Sequence, residues 1–164
     1  MLIAPHGGSL KELLVSKDEQ EEIKAASRDY HSWDITERQI WDIEMLLNGG
    51  FSPLEGFLTK ADYESVIKDM RLSSKFFWPI PITLDVGEEF ASRIKEGAKI
   101  ALRDMEGVLI AVMDVSDIWK PDKKKEARII FGSDDTAHPW VNYLLNRAHP
   151  VYLGGRLKGV EPPR

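Results

Sequence analysis

The stretch Asn48-Gly49-Gly50-Phe51-Ser52-Pro53-Leu54-Glu55-Gly56-Phe57 constrains this chain more than any other. Three glycines, one proline and two phenylalanines in ten residues suit neither a regular helix nor a solvated loop. Glycine admits positive φ or a close backbone approach. Proline fixes φ and withdraws a donor, and the aromatic rings require burial. Two readings fit this chemistry. One is a helix C-cap at Gly49-Gly50 followed by a tight turn that tucks Phe51 and Phe57 into the local core. The other is an apolar, shaped connection that fixes how two parts of a larger molecule meet. On that reading Phe51, Pro53, Leu54 and Phe57 are the candidate interdomain or subunit contacts.

Helical patterns flank the stretch. Upstream, Met1 to Gly8 reads as extended, with a turn at Pro5-His6-Gly7-Gly8. Ser9 and Glu12 have the spacing of a capping box, which predicts a short helix through Leu10, Leu13 and Leu14. Ser16 to Arg28 has little to bury beyond Ile23 and Ala26, and its acidic start suits a surface helix. The strongest helix opens at Ile35-Thr36. Thr36 and Gln39 fit a second capping box, Ile40, Ile43 and Leu47 recur at helical spacing, and Trp41, Met45 and Leu46 widen the apolar face. Beyond the stretch, Thr59 and Asp62 predict another capped helix with Tyr63, Val66, Ile67 and Met70 as its buried stripe.

From Phe76 the pattern turns to strands. Phe76 to Val86 is aromatic and β-branched, and predicts a strand whose edge is exposed at Pro79 and Pro81. Glu88 to Ile94 suits one or two helical turns. Ala98 to Arg103 and Val108 to Trp119 read as a hairpin about Asp104-Met105-Glu106-Gly107, the second strand long enough to carry a bulge. Lys120 to Lys125 reads as a charged surface turn and Glu126 to Ile130 as helical. Pro139 suits the first position of a helix through Trp140, Tyr143, Leu144 and Leu145. Val151 to Leu153 and Leu157 to Val160 read as two short strands around Gly154-Gly155. Glu161 to Arg164 resembles the start of a linker, so the domain is expected to span residues 1–160.

Composition narrows the function classes. A net charge of -5 argues against nucleic acid as a partner, because phosphate neutralisation needs clustered Lys and Arg. The absence of cysteine removes disulfides, thiol nucleophiles and thiolate metal sites, and suits a reducing compartment. No apolar run is long enough to cross a membrane and no secretory pattern opens the chain, so it reads as cytoplasmic. Gly50 and Gly56 do not form a phosphate loop, and Gly154-Gly155-Arg156-Leu157-Lys158-Gly159 is not a dinucleotide fingerprint. His6, His31, His138 and His149 lack metal-ligand spacing, and no serine sits in a nucleophile elbow. The residues therefore nominate no catalytic, cofactor-binding or metal-binding group. The five tryptophans are too dispersed for a stacking platform and suit core or interface packing.

The ordered set of segments nevertheless carries a resemblance. Asn48 to Phe57, then Trp78 to Asp85, Ile100 to Asp104, Phe131-Gly132 with Asp135 to Pro139, and Pro150 to Gly155 are similar to the N-terminal domain of ATP sulfurylase (sulfate adenylyltransferase). The similarity runs collinearly from Pro5-His6-Gly7-Gly8 across nearly the whole chain. It implies an α+β fold, a PUA-like β-barrel with N-terminal and peripheral helices. The family enzyme joins sulfate to magnesium-bound ATP, giving adenosine 5′-phosphosulfate and pyrophosphate. Its phosphate-handling motifs, Q-x-R-N-P-x-H and G-R-D-H-A-G, belong to the following catalytic domain and are absent here. Asn146-Arg147-Ala148-His149-Pro150 has related residue types in another order and is not equated with them. The resemblance thus implies a non-catalytic domain that supports a catalytic domain, in an oligomeric enzyme of sulfate assimilation or dissimilation. A free-standing PUA-like module that binds RNA or another ligand is the alternative.

Overall fold

The computed structural model describes residues 3–163. The expected extension at Met1 and Leu2, and Arg164 of the expected linker start, lie outside them. Helices α1 (Lys17–Ala26), α2 (Glu37–Leu47), α3 (Lys60–Asp69), α4 (Glu88–Ser92), α5 (Lys123–Phe131) and α6 (Pro139–Asn142) decorate one mixed sheet. Its strands are β1 (His31–Asp34), β2 (Gly56–Phe57), β3 (Leu84–Val86), β4 (Lys99–Arg103), β5 (Leu109–Trp119) and β6 (Val151–Gly159). The fold is α+β. No helix among the described residues is long and apolar enough to cross a membrane.

The hydrogen-bonded path runs β1-β4-β5-β6-β2, with β3 also paired to β6. β1 is parallel to β4, and the other pairings are antiparallel. Among the described residues no ladder joins β1 to β2, so the barrel is open along that seam. Alternation assigns the two faces. Ile100 and Leu102 of β4 enter the main core, while Ala101 between them joins a smaller cluster with Leu109, Val112 and Val160, covered by Ile23 and Tyr30. β5 carries an irregularity against β6 between Val115 and Asp117, as its length predicts.

Helix α2 forms as its sequence dictates. The Thr36 hydroxyl accepts from the Gln39 N–H at 3.2 Å, and the Gln39 side chain accepts from the Thr36 N–H at 3.0 Å. That cap contributes about 1 kcal/mol. Full burial of Ile43, Leu46 and Leu47 contributes about 1.5–3 kcal/mol for each side chain, so packing outweighs the cap. Trp41 departs from expectation. It projects outward and is 66% exposed, because the inward arc of the helix is filled by Gln39, Ile43, Leu46 and Leu47. On α3, Met70 leaves the buried stripe for the same kind of reason: it is the left-handed C-cap and points to solvent.

Four other expectations are corrected. Leu10 to Leu14 is extended, not helical. The Leu13 N–H donates to the Leu47 carbonyl at 3.0 Å, its carbonyl accepts from Gly159 at 2.7 Å, and Val15 donates to Gly159 at 3.0 Å. The segment thereby satisfies backbone groups at the ends of α2 and β6, which a helix could not do. Of Phe76 to Val86 only Leu84–Val86 forms a strand, since Pro79 and Pro81 have no N–H for a ladder. Lys123–Lys125 is the first turn of α5, capped by the Asp122 carboxylate on the Lys125 N–H at 3.1 Å. The two strands expected around Gly154-Gly155 are one continuous strand, β6, paired through both glycines.

Candidate functional site

The glycine-rich stretch distributes its four nominated residues over two environments. Phe57 (2% exposed) and Leu54 (6%) belong to the main core. Phe51 and Pro53 are half-buried at its edge. Phe51 meets Trp78 edge-on at 5.8 Å, and Trp78 stacks on His6 at 6.1 Å. Pro53, which follows a cis peptide bond, lies beneath the N-terminal turn at Gly7. The two glycines at Gly56 and Gly155 bring β2 and β6 together so closely that a Cβ on Gly56 would fall 2.0 Å from the Gly155 carbonyl oxygen. The stretch is therefore shaped at Gly56 by β6 and from Gly49 to Pro53 by the N-terminal segment, and the four side chains do not share one surface.

A polar hollow lies elsewhere, between α2, the 80–85 segment, α5 and α6. It is a cavity of about 60 Å³ walled by Arg38, Asp42, Asp85, Glu126, Trp140 and Tyr143, among others. Gln39 is the buried hub beside it. Its amide donates to the Asp85 carbonyl at 2.7 Å and to the Asp85 carboxylate at 2.9 Å. Its oxygen accepts from the Trp33 indole and the Thr36 N–H, both at 3.0 Å. The other Asp85 carboxylate oxygen accepts from the His149 N–H at 2.8 Å. One capping residue thus ties α2 to β3 and, through Asp85, to the turn before β6.

Glu126 is buried on the opposite wall. It accepts from the hydroxyls of Tyr63 at 2.6 Å and Tyr152 at 3.0 Å. Burial pushes its carboxyl upward, and the tyrosine hydrogen bonds pull partly the other way. Both phenols are displaced upward, first by burial and then by the Glu126 charge, so they remain neutral donors. Burial pushes Asp42 up to about 6, with Arg38 opposing and the Asp85 charge reinforcing the shift. Lys123 is lowered by burial and donates to the carbonyls of Ala148 at 3.0 Å and His149 at 2.6 Å. The Arg38 guanidinium lies 4.5 Å from the Tyr143 ring centre and 5.2 Å from that of Trp140.

This hollow is suited to joining elements, not to gripping phosphate. Its wall carries Asp42, Asp85 and Glu126 against a single arginine already stacked on two rings. Among the described residues no group of three or more His, Cys, Asp or Glu is placed to hold a metal ion. The residues that line this hollow do not fit a magnesium-bound triphosphate. Sequence reasoning missed this cluster because Arg38, Asp85, Glu126 and Trp140 are remote in the chain. The available signal was Trp41 and Arg38 on α2, at positions the core does not need.

The open mixed sheet, the β-branched hairpin and the helices packed around them define a class of small domain. A family model for the PUA-like domain matches residues 3–162, and the chain belongs to that family. Its curated relatives are more particular. A sulfate adenylyltransferase of Eremothecium gossypii is 45% identical over 163 residues, covering 99% of this chain and 32% of the relative. That of Saccharomyces cerevisiae is 45% identical over 164 residues, covering 98% of this chain and 32% of the relative. The chain thus spans about a third of the length of the curated relatives it matches. Among solved structures, a hexameric APS kinase from Thiobacillus denitrificans matches with a TM-score of 0.77 at 29% identity, over 99% of this chain and 28% of that one.

Proposed function

We propose that the chain is the N-terminal, non-catalytic domain of an ATP sulfurylase, the enzyme that makes adenosine 5′-phosphosulfate and pyrophosphate from ATP and sulfate. The observation that carries this reading is identity of 45% over 163 residues to an enzyme about three times as long. The chemistry of the hollow agrees with it. Phosphoryl and sulfuryl groups need donors and cations organised around developing negative charge, and three carboxylates supply the reverse. ATP and magnesium then belong to the catalytic domain, which carries the motifs absent here. The domain's work is to support that catalytic domain and to contribute to contacts between subunits of a cytoplasmic homo-oligomer. The hexameric neighbour supports the oligomeric part of this reading. Of the glycine-rich stretch, Phe51 and Pro53 have surface to offer such a contact, and Leu54 and Phe57 hold the loop from beneath. Residues 161–164 begin the linker.

The test is a pyrophosphate-release assay with magnesium, ATP and sulfate. The 164-residue chain is expected to release none above a heat-killed control, and the longer protein that carries it is expected to turn over. Sulfate-dependent release by the chain alone would overturn the reading.

A further inference from the structure

Helix α2 buries one apolar face and carries two exposed apolar side chains among charges on the other. Ile43, Leu46 and Leu47 face the core, while Arg38, Trp41 and Met45 recur at helical spacing on the outside. Trp41 is 66% exposed and Met45 38%. Large apolar side chains left exposed together within a rim of charge mark an interaction surface. The outer stripe continues onto neighbouring elements. Trp140 of α6, 56% exposed, receives the Arg38 guanidinium, and Ile80, 58% exposed, shares the cavity wall with both. Tryptophan and arginine dominate the energetics of interfaces, and an arginine already stacked loses less side-chain freedom on docking.

We propose that the face formed by Arg38, Trp41, Met45, Ile80 and Trp140 is where the catalytic domain of the same polypeptide docks. The proposal rests on the reading that this chain is one domain of a longer enzyme. Two observations favour that occupant over a second copy of the chain. The first is length: the match covers 32% of the relatives, so most of such a polypeptide lies outside this domain. The second is position. Glu161 and Pro162 line a groove of about 260 Å³ together with Ile40 of α2, which lies about 100° around that helix from Trp41, and the Glu161 N–H donates to the Ile110 carbonyl at 3.2 Å. A domain tethered at that groove meets the stripe at high effective concentration, whereas a second copy arrives from dilute solution. Glu37 and Glu44 on the exposed side of α2 call for a partner patch that is apolar with a basic rim.

Hydroxyl-radical footprinting read by mass spectrometry tests this on the chain and on the longer protein. Trp41, Met45 and Trp140 are expected to be oxidised in the chain and roughly tenfold more slowly in the longer protein, as for side chains at the core of an interface. Met70, 47% exposed at the end of α3, serves as the reference that stays reactive in both. Equal oxidation of the three in a longer protein that makes adenylyl sulfate overturns the docking face and leaves the proposed function standing. Protection that rises with the concentration of the chain alone assigns the face to a second copy and also overturns it. A downstream reading frame with no catalytic domain removes the underlying reading itself. A second measurement uses Trp41→Glu with Trp140→Glu. In the longer protein the pair is expected to split one thermal transition into two, with the melting of the chain alone lowered only by the lost Arg38–Trp140 contact; a single unchanged transition in the longer protein counts against the proposal.

Discussion

Asp42 sits where its own charge is unwelcome. Burial and the nearby Asp85 raise its carboxyl to about 6 against an ordinary 3.8, despite Arg38 alongside. The folded state therefore keeps this proton to higher pH than the unfolded state does. As pH rises from about 4 to 6 the unfolded state is the first to ionise, so stability falls through that window and stays lower above it. At about 1.4 kcal/mol for each pKa unit, the ionised group costs up to about 3 kcal/mol. Asp42→Asn is expected to raise stability at pH 7.5 by about 1–3 kcal/mol in urea unfolding, with the gain gone at pH 4. A gain of equal size at both pH values would assign the effect to packing instead. The capping role of Gln39 was legible in the Thr36-x-x-Gln39 spacing. Its bonds to Trp33 and Asp85 were not, because they depend on where β1 and β3 come to rest.

Among the elements, β6 bears the tightest packing. It pairs with β5 on one side and with β2 and β3 on the other, so its backbone has no free edge over much of its length. A Cβ on Gly155 would lie 1.8 Å from the Asp114 carbonyl oxygen, which is backbone and cannot swing aside. Gly155→Ala is expected to destabilise the chain by about 3 kcal/mol or more in denaturant unfolding, the scale of an overpacked core. A loss under about 0.5 kcal/mol, the scale of a surface change, would show that the strands separate easily here. The Gly154-Gly155 pair reads in sequence as a break between strands, since glycine weakens an isolated strand. In the fold it is the condition for a strand crowded from both sides. Helices α2 and α3 were legible to within a residue or two from caps and periodicity, which are local. The Ser9 capping pattern misled because the unmet backbone groups of α2 and β6 compete for that segment and win.

Over the whole molecule, stability is unevenly distributed. The main core is built on β4, β5, β6, α2 and α3, while α1 contributes no buried residue. Native-state hydrogen exchange is expected to find the β5 and β6 amides opening only with global unfolding, and those of α1 opening at markedly lower free energy. Equal protection of α1 and β6 would mean that the helix is held by more than its caps, its surface ion pairs, the Gln20 bond to Val160 and the packing of Ile23. The sequence alone determined what depends on neighbours in the chain: the caps of α2 and α3, the hairpin turn, and the ordered segments from Asn48 to Gly155 that carry the family resemblance and with it the α+β class. Tertiary structure alone decided which apolar residues stay inside. Trp41 and Leu46 are equally apolar on one helix, yet only the packing of the sheet against α2 sends one to the core and leaves the other in solvent. Burial is a property of the space between elements, and that space exists only after the chain has closed around it.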